Sequence, residues 1–139
     1  MVTFNILSEY SQDPLTQMGL RLKIASGQPL YALERVQALA GDGQQIKAVT
    51  QKCLQNIETL FGGEYDDVAD LIRAVRLSDY RDSEWCECSR GSVAACDAYV
   101  VQRVELLSGS GHQVTVAYYL KLAIGKTGQL VLMVSCHLS

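Results

Sequence analysis

The stretch Val-Thr-Val-Ala-Tyr-Tyr-Leu-Lys-Leu-Ala-Ile, residues 114–124, decides the fold class of this chain. Its even-numbered residues are all large and apolar or aromatic, whereas the odd-numbered ones are Thr, Ala, Tyr, Lys and Ala. A repeat of two residues is typical of a β-strand with one buried face. We therefore predict a strand over residues 114–124, with its even-numbered side chains in the core.

The segments on both sides of this stretch also predict strands. Downstream, residues 125–128 form a glycine-containing turn and alternating apolar residues follow from Leu130 to Leu138. Upstream, residues 100–107 end at the glycine-rich connection 108–111, which is typical of a hairpin. The upstream apolar residues Val93, Cys96, Val100, Val104 and Leu107 also fit one face of a helix. We favour a strand because β-branched residues are abundant there, and we leave helix as the alternative for residues 93–107.

The first 77 residues show a helical period instead. We predict four helices: from Asp13-Pro14 to Gly27, from Pro29 to Gly41, from about Gln44 to Gly62, and from Asp66 onward. The third helix is indicated by apolar residues at steps of three and four, namely Ile46, Val49, Cys53, Ile57 and Leu60. We expect this helix to pack on the even-numbered face of residues 114–124.

The predicted architecture is α+β. About four N-terminal helices pack on a C-terminal three-stranded antiparallel β-meander, and Val2, Phe4 and Ile6 add an N-terminal edge strand. We expect one domain over residues 1–139, mainly helical in 1–77, with a cysteine-bearing loop in 78–98 and the meander in 99–139.

Composition indicates a globular cytoplasmic protein. The chain has 139 residues, of which 48% are hydrophobic and 19% are charged, enough to build a core without disulfides. No apolar run is long enough to span a bilayer, and the N-terminus lacks the basic segment of a secretory signal. Five cysteines, an odd number, fit reduced thiols in the cytosol better than a disulfide framework.

Acidic residues are concentrated in the middle of the chain. Residues 58–97 contain ten acidic and four basic residues, a net charge of −6, whereas the whole chain carries −3. Such a block repels phosphate backbones and disfavours nucleic-acid binding through this region. We expect the block to face the basic surface of a protein partner, or to serve as a solvated face that keeps the domain soluble.

The loop predicted at residues 78–92 carries the residue types that dominate protein–protein interfaces. We predict Tyr80 and Trp85 as anchors and the neighbouring acids as groups that steer a partner. The full predicted partner-binding set is Tyr80, Arg81, Trp85, Arg90, Asp79, Asp82 and Glu84. The alternative for Trp85 is a core residue that fills a gap between the helices and the sheet.

The cysteines suggest a structural zinc site. Zinc prefers thiolate and imidazole ligands, and folding of the meander would bring the end of the chain back toward the first two cysteines of the loop. The predicted ligands are Cys86, Cys88 and Cys96, with Cys136 or His137 completing the shell. In a strand, Cys136 and His137 point to opposite faces, so only one of them can join the site easily. The alternative is a set of reduced, partly buried thiols.

No catalytic fingerprint accompanies these features. Residues 125–127 resemble the end of a phosphate-binding loop, but Leu120 stands where that loop needs a glycine. Our leading hypothesis is a small non-enzymatic regulatory, inhibitor or adaptor protein that acts through protein–protein contacts. The first alternative is a zinc-stabilised nucleic-acid-binding regulator that uses the front helices. The second is a small thiol-dependent enzyme that pairs Cys88 or Cys96 with His137.

Overall fold

The computed structural model describes residues 5–12, 22–89, 91–107 and 109–139. The described strands are β1 (Asn5–Ile6), β2 (Leu22–Ile24), β3 (Ile46–Ala48), β4 (Tyr80–Ser89), β5 (Ser92–Leu106), β6 (Gln113–Ile124) and β7 (Val131–Leu138). The described helices are α1 (Leu33–Ala40), α2 (Gln51–Phe61) and α3 (Tyr65–Ala74), and a short 3-10 turn follows at Leu77–Asp79.

All seven described strands belong to one sheet. Its order is β2-β4-β5-β6-β7-β3, and β1 pairs with the start of β5 beside this path. Neighbours in the β2-to-β7 part are antiparallel, whereas β3 runs parallel to β7 and β1 runs parallel to β5. The predicted strands 114–124 and 130–138 are confirmed as β6 and β7, and residues 93–106 are strand rather than helix.

The even-numbered face of β6 lies in the core, as its alternation predicts. Leu120, Leu122 and Ile124 are fully buried, and each contributes roughly 1.5–3 kcal/mol through removal of apolar surface from water. Helix α2 packs on this face. Its last residue, Phe61, stacks on Tyr118 with ring centroids 6.0 Å apart. The opposite face of the sheet carries small residues where β4, β5 and β6 meet, including Ala94, Cys96, Ala98 and Ala123, all of them buried.

The predicted count of four helices and three meander strands is wrong: the described residues form three helices and a seven-stranded sheet. Part of the predicted first helix, residues 13–21, lies outside the described residues, and its end at Leu22–Ile24 is strand β2, paired with β4. Val2 and Phe4 also lie outside them. Ile6 is in β1, which pairs with the start of β5.

The start of the predicted third helix is also a strand. Ile46–Ala48 pairs with Val131–Met133 of β7, and helix α2 begins only after Thr50. The Thr50 hydroxyl accepts a hydrogen bond from the Cys53 backbone N–H at 3.1 Å, which is a typical N-cap. Gly62 ends α2 with a φ of 62°, a left-handed conformation that favours glycine, so the predicted end is confirmed.

The largest error concerns the loop predicted at 78–98, where Tyr80–Ser89 is strand β4 and residues 92–98 are the first half of β5. Residues 83–86 and 92–99 are buried at consecutive positions. A strand that is buried on both faces shows no alternation between polar and apolar residues, and this removes the signal on which a strand prediction depends.

Candidate functional site

Trp85 lies in the interior rather than at the surface. Its side chain is 1% exposed and packs with Val93 and Ala95, against the partly buried Tyr10 and Ile24 among others. Trp85 is therefore a core residue, which is the alternative that the sequence predicts for it. A side chain this deeply buried offers no surface on which a partner docks.

The other predicted aromatic anchor is bonded within the chain. Tyr80 is half-buried, and its hydroxyl shares a hydrogen bond with the Ser83 hydroxyl at 2.6 Å and donates one to the Gln28 carbonyl at 3.2 Å. Its ring also meets Tyr99 edge-on, with centroids 5.8 Å apart. Arg81 is exposed close by, whereas Arg90 lies outside the described residues.

The predicted steering acids bond to neighbouring groups of this chain. Asp82 forms an ion pair with Lys23 at 2.6 Å, and the Asp79 carboxylate accepts a hydrogen bond from the Arg76 backbone N–H at 2.8 Å. Glu84 is 4% exposed. Asp82 and Glu84 therefore present less negative charge to a partner than the sequence predicts, because lysines of this chain pair with them.

A groove of about 800 Å³ opens beside the second half of β5. The pairing of β4 with β5 ends at Tyr80 and Tyr99, but β5 continues to Leu106. No described strand pairs with residues 100–106 on the β4 side, and we call this side the open edge of β5. The end of α3 and the 3-10 turn form the other wall of the groove.

The groove is strongly basic. Four arginines line it, against a single acid, Asp79. They come from four separate places: Arg73 lies in the last turn of α3, Arg76 follows that helix, Arg81 lies on β4 and Arg103 lies on β5. Because these positions are up to thirty residues apart, the sheet has to form before their charges come together.

The four guanidinium groups differ in how far they are neutralised. Arg73 pairs with Asp70, and Arg103 pairs with Glu105 at 2.9 Å. Within the described part of the chain, no carboxylate lies in ion-pair range of the guanidinium of Arg76 or Arg81. Both residues are exposed, and the Arg81 guanidinium donates hydrogen bonds at 3.3 Å to the Asp79 and Tyr80 carbonyls, so both retain a positive charge that an anionic ligand can pair with.

Exposed apolar side chains continue from the groove along the same strand. Val104 is 62% exposed and Leu106 is 69% exposed, and Leu107 just after the strand is half exposed. Apolar side chains beside an unpaired strand edge are typical of surfaces that pair with another chain.

The predicted zinc ligands divide between the two faces of the sheet. Cys96 lies opposite Glu84 on one face, whereas Cys136 lies opposite Leu120 on the helix-covered face. His137 is half-buried and stacks on Tyr119 at 5.1 Å. In the described ranges, no group of three or more His, Cys, Asp or Glu residues is arranged to hold a metal ion.

A buried ion pair lies on the same face as Cys96. Lys121 of β6 donates a hydrogen bond to Glu84 of β4 across the intervening strand, and the side chains of both are 5% exposed. Lys23 approaches the other carboxylate oxygen at 3.2 Å. Burial opposes ionisation of Glu84, but the hydrogen bond from Lys121 holds the pKa of this carboxyl below its usual value.

Cys86 lies beside this ion pair. Its thiol donates long hydrogen bonds to the backbone carbonyl and to a carboxylate oxygen of Glu84, each at 3.9 Å. The neighbouring Cys96 thiol is the main influence that lowers the pKa of Cys86, and the charge of Lys121 adds to it against the effect of burial. Lys121 is not among the site residues predicted from the sequence, although a lone lysine within an apolar strand indicates a paired buried charge.

Comparisons with known proteins give no match, whether to family models, to curated proteins or to solved structures. None of the described helices has the length and apolar character needed to cross a membrane. The interpretation of the groove, and of the buried cluster of Cys86, Glu84 and Lys121, therefore rests on geometry.

Proposed function

We propose that this chain is a small non-enzymatic regulatory or adaptor protein that binds an extended, acidic segment of a partner protein in the arginine-lined groove. The observation that carries the proposal is the open edge of β5 facing Arg76 and Arg81. The unpaired backbone groups of the edge bind the backbone of the partner segment, and the arginines bind its carboxylates.

The backbone of residues 100–106 supports the first part of this recognition. In a strand, alternate N–H and C=O groups point to the two sides, so those on the β4 side of this segment face the groove. An extended peptide that enters the groove adds a strand to the sheet and satisfies these groups, which is the common mode of β-strand addition. Because backbone bonds alone select no sequence, specificity has to come from side chains.

The arginines supply that specificity. A guanidinium group binds a carboxylate through two parallel hydrogen bonds, and such bonds are stronger than those between neutral groups. The cations of Arg76 and Arg81 thus favour a partner segment that carries Asp or Glu. The acidic block of the sequence predicts a partner with a basic surface. The proposal takes an acidic one, because Asp79, Asp82 and Glu84 bond within the chain and the groove is positive.

A protein segment is favoured over a nucleic acid as the occupant. Proteins that bind single strands stack bases on aromatic side chains, and no aromatic residue is among those that line the groove. Exposed Val104 and Leu106 instead match apolar side chains on one face of an added strand. We also propose an intracellular location, supported by five free and buried cysteines.

A peptide of alternating glutamate and valine tests the proposal. We expect it to bind with an affinity that falls as salt rises, whereas a lysine–valine peptide of equal length should not bind. Replacing Arg76 and Arg81 together by glutamate should weaken binding about tenfold or more, since 1.4 kcal/mol corresponds to a factor of ten. Fluorescence anisotropy of labelled peptides measures these affinities.

Lys52→Glu is the matched control, because Lys52 is exposed on α2 and does not line the groove. It changes the net charge in the same direction and should leave the affinity near that of the parent. Equal binding of the two peptides would contradict the proposal. Binding of single-stranded DNA that is lost with the arginines, without binding of the acidic peptide, would replace the protein partner by a nucleic acid.

A further inference from the structure

The open edge of β5 is blocked at one end by strand β4. The pairing of β4 with β5 ends where Tyr80 lies opposite Tyr99, and the chain reaches Tyr80 from the 3-10 turn at Leu77–Asp79. A partner strand that pairs with residues 100–106 on this side therefore lies in line with β4, and its pairing has to stop at Tyr80. We call this end of the groove, at Tyr80 and Val100, the closed end.

Arg81 lies at the closed end because β4 is irregular there. Consecutive β5 residues pair with Tyr80 and Asp82, and Arg81 between them has no partner on that strand. A bulge of this kind interrupts regular pairing and redirects a side chain. The Arg81 guanidinium donates hydrogen bonds at 3.3 Å to the Asp79 and Tyr80 carbonyls, which hold it where the 3-10 turn enters β4.

A second cation lies near the same end. Arg76 begins the turn that leads into β4, and its backbone N–H donates a hydrogen bond to the Asp79 carboxylate at 2.8 Å. Arg76 and Arg81 both line the groove, and Asp79 is the one acid among the lining residues. Two guanidinium groups against one carboxylate leave the closed end with a positive charge.

The two possible directions of a bound strand bring opposite charges to the closed end. β4 runs antiparallel to β5, so a partner strand that is antiparallel to β5 runs in the direction of β4 and brings its C-terminus to Tyr80. A parallel strand brings its N-terminus there instead. A free C-terminus is a carboxylate that arginine attracts, whereas a free N-terminus is an ammonium group that arginine repels. Antiparallel pairing is also slightly more stable per residue.

We propose that the groove binds the C-terminus of its partner protein. The last residues of the partner pair antiparallel with residues 100–106, and the terminal carboxylate pairs with Arg81 at the closed end, beside Arg76. This inference rests on the proposed function and adds to it which part of the partner binds and in which direction. An internal segment supplies no terminal carboxylate and has to turn away from the sheet at Tyr80, so the groove favours a chain end.

Three peptides of equal length, labelled at the N-terminus, test this inference by fluorescence anisotropy. The first alternates glutamate and valine and ends in a free carboxylate, and the second is its C-terminal amide. The third keeps the free carboxylate but has glutamine for its first glutamate, so its net charge equals that of the amide. We expect the amide to bind about tenfold more weakly or less, the effect of losing a charge-assisted hydrogen bond, and the glutamine peptide to lose about threefold at most.

The outcomes separate this inference from the proposed function. Equal binding of the free acid and the amide, both tighter than the lysine–valine peptide, would overturn the inference and leave the proposed function standing. Equal weakening of the amide and the glutamine peptide would also overturn it, because net charge alone would then explain the loss. If no acidic peptide binds, both proposals fail.

A variant locates the carboxylate. Arg81 is exposed, so Arg81→Gln should keep the fold and reduce the preference for the free acid over the amide to nearly none. Lys52→Gln is the matched control, since Lys52 is exposed on α2 outside the groove, and it should keep the parental preference. A preference that Arg81→Gln leaves unchanged would overturn the placement of the carboxylate.

A spin label at the N-terminus of the free-acid peptide reports the direction of binding. Residues 100 and 106 are about 20 Å apart, because a strand rises about 3.3 Å per residue. We expect the strongest broadening of backbone amide NMR signals at residues 104–107 and the weakest at Tyr80 and Arg81. Strongest broadening at Tyr80 and Arg81 would show a parallel strand and overturn the inference.

Discussion

Replacing Lys121 by methionine is expected to lower the free energy of unfolding by about 3–5 kcal/mol, because removal of one partner leaves a buried charge uncompensated. The Glu84 side chain is 5% exposed, and its hydrogen bond from Lys121 disappears in this variant. Lys23, at 3.2 Å, offsets part of the loss. Urea unfolding at neutral pH measures the change.

Lys23→Met is the matched control for this prediction. The Lys23 side chain is 64% exposed, and exposed ion pairs contribute about 1 kcal/mol or less, so the control should lose little stability. The double variant Glu84→Gln, Lys121→Met removes both charges and should recover much of the loss. Lys121→Met with the parental unfolding midpoint would show that the buried pair does not stabilise the fold.

The pH dependence of the stability that Glu84 contributes follows from the direction in which its pKa is shifted. Because the pKa of Glu84 is lowered in the folded state, its stabilising contribution is complete above the usual glutamate value of about 4.3. The contribution is lost as the pH falls through the lower folded-state value. In Lys121→Met, burial instead favours the protonated carboxyl, so this variant should gain stability relative to the parent as the pH is lowered.

Leu120→Asp is expected to prevent folding. Leu120 is fully buried between Tyr99 of β5 and Cys136 of β7, and an unpaired charge there costs several kcal/mol of a total stability of roughly 5–15 kcal/mol. Circular dichroism and one-dimensional NMR report the loss of structure.

Thr115→Asp is the control for Leu120→Asp, because Thr115 is exposed on the same strand. This variant should fold and unfold at nearly the parental midpoint. If Leu120→Asp melts like the parent, the even-numbered face of β6 is not the core face, and the fold described here is contradicted.

The sequence predicts those elements that have one solvent-exposed face and one buried face. In residues 113–120 of β6 the even-numbered side chains are more buried than the odd-numbered ones, and in α3 the buried residues Val68, Leu71 and Ile72 form one stripe. The third predicted helix is correct from Thr50 onward. Its first part fails because Ile46 and Val49 stand at helical spacing by chance while the backbone pairs with β7.

The strand β4 escapes prediction because both of its faces are covered. Buried Ser83, Glu84 and Cys86 interrupt the apolar pattern, and their polar atoms are satisfied by partners that only the fold supplies. Glu84 can be assigned to the core only when Lys121, which pairs with it from two strands away, is known to be its partner. The acidic block thus looks like a docking face in the sequence, although part of it is internal.

The candidate groove escapes prediction for a related reason. Arg73 and Arg76 are recognisable as cations near the end of a helix, but nothing local connects them with Arg81 or Arg103. Their proximity depends on the order of the strands and on β5 extending past the end of β4. Topology of this kind is not encoded in any short motif.

Backbone amide NMR with the glutamate–valine peptide tests the central claim, that the open edge of β5 is the binding site. We expect shift changes and slowed hydrogen exchange at alternate amides of residues 100–106, with smaller changes at the Arg76 and Arg81 amides. The outer strands β2 and β3 are internal references and should not respond. Changes centred on β2 or β3, with residues 100–106 unaffected, would contradict the claim.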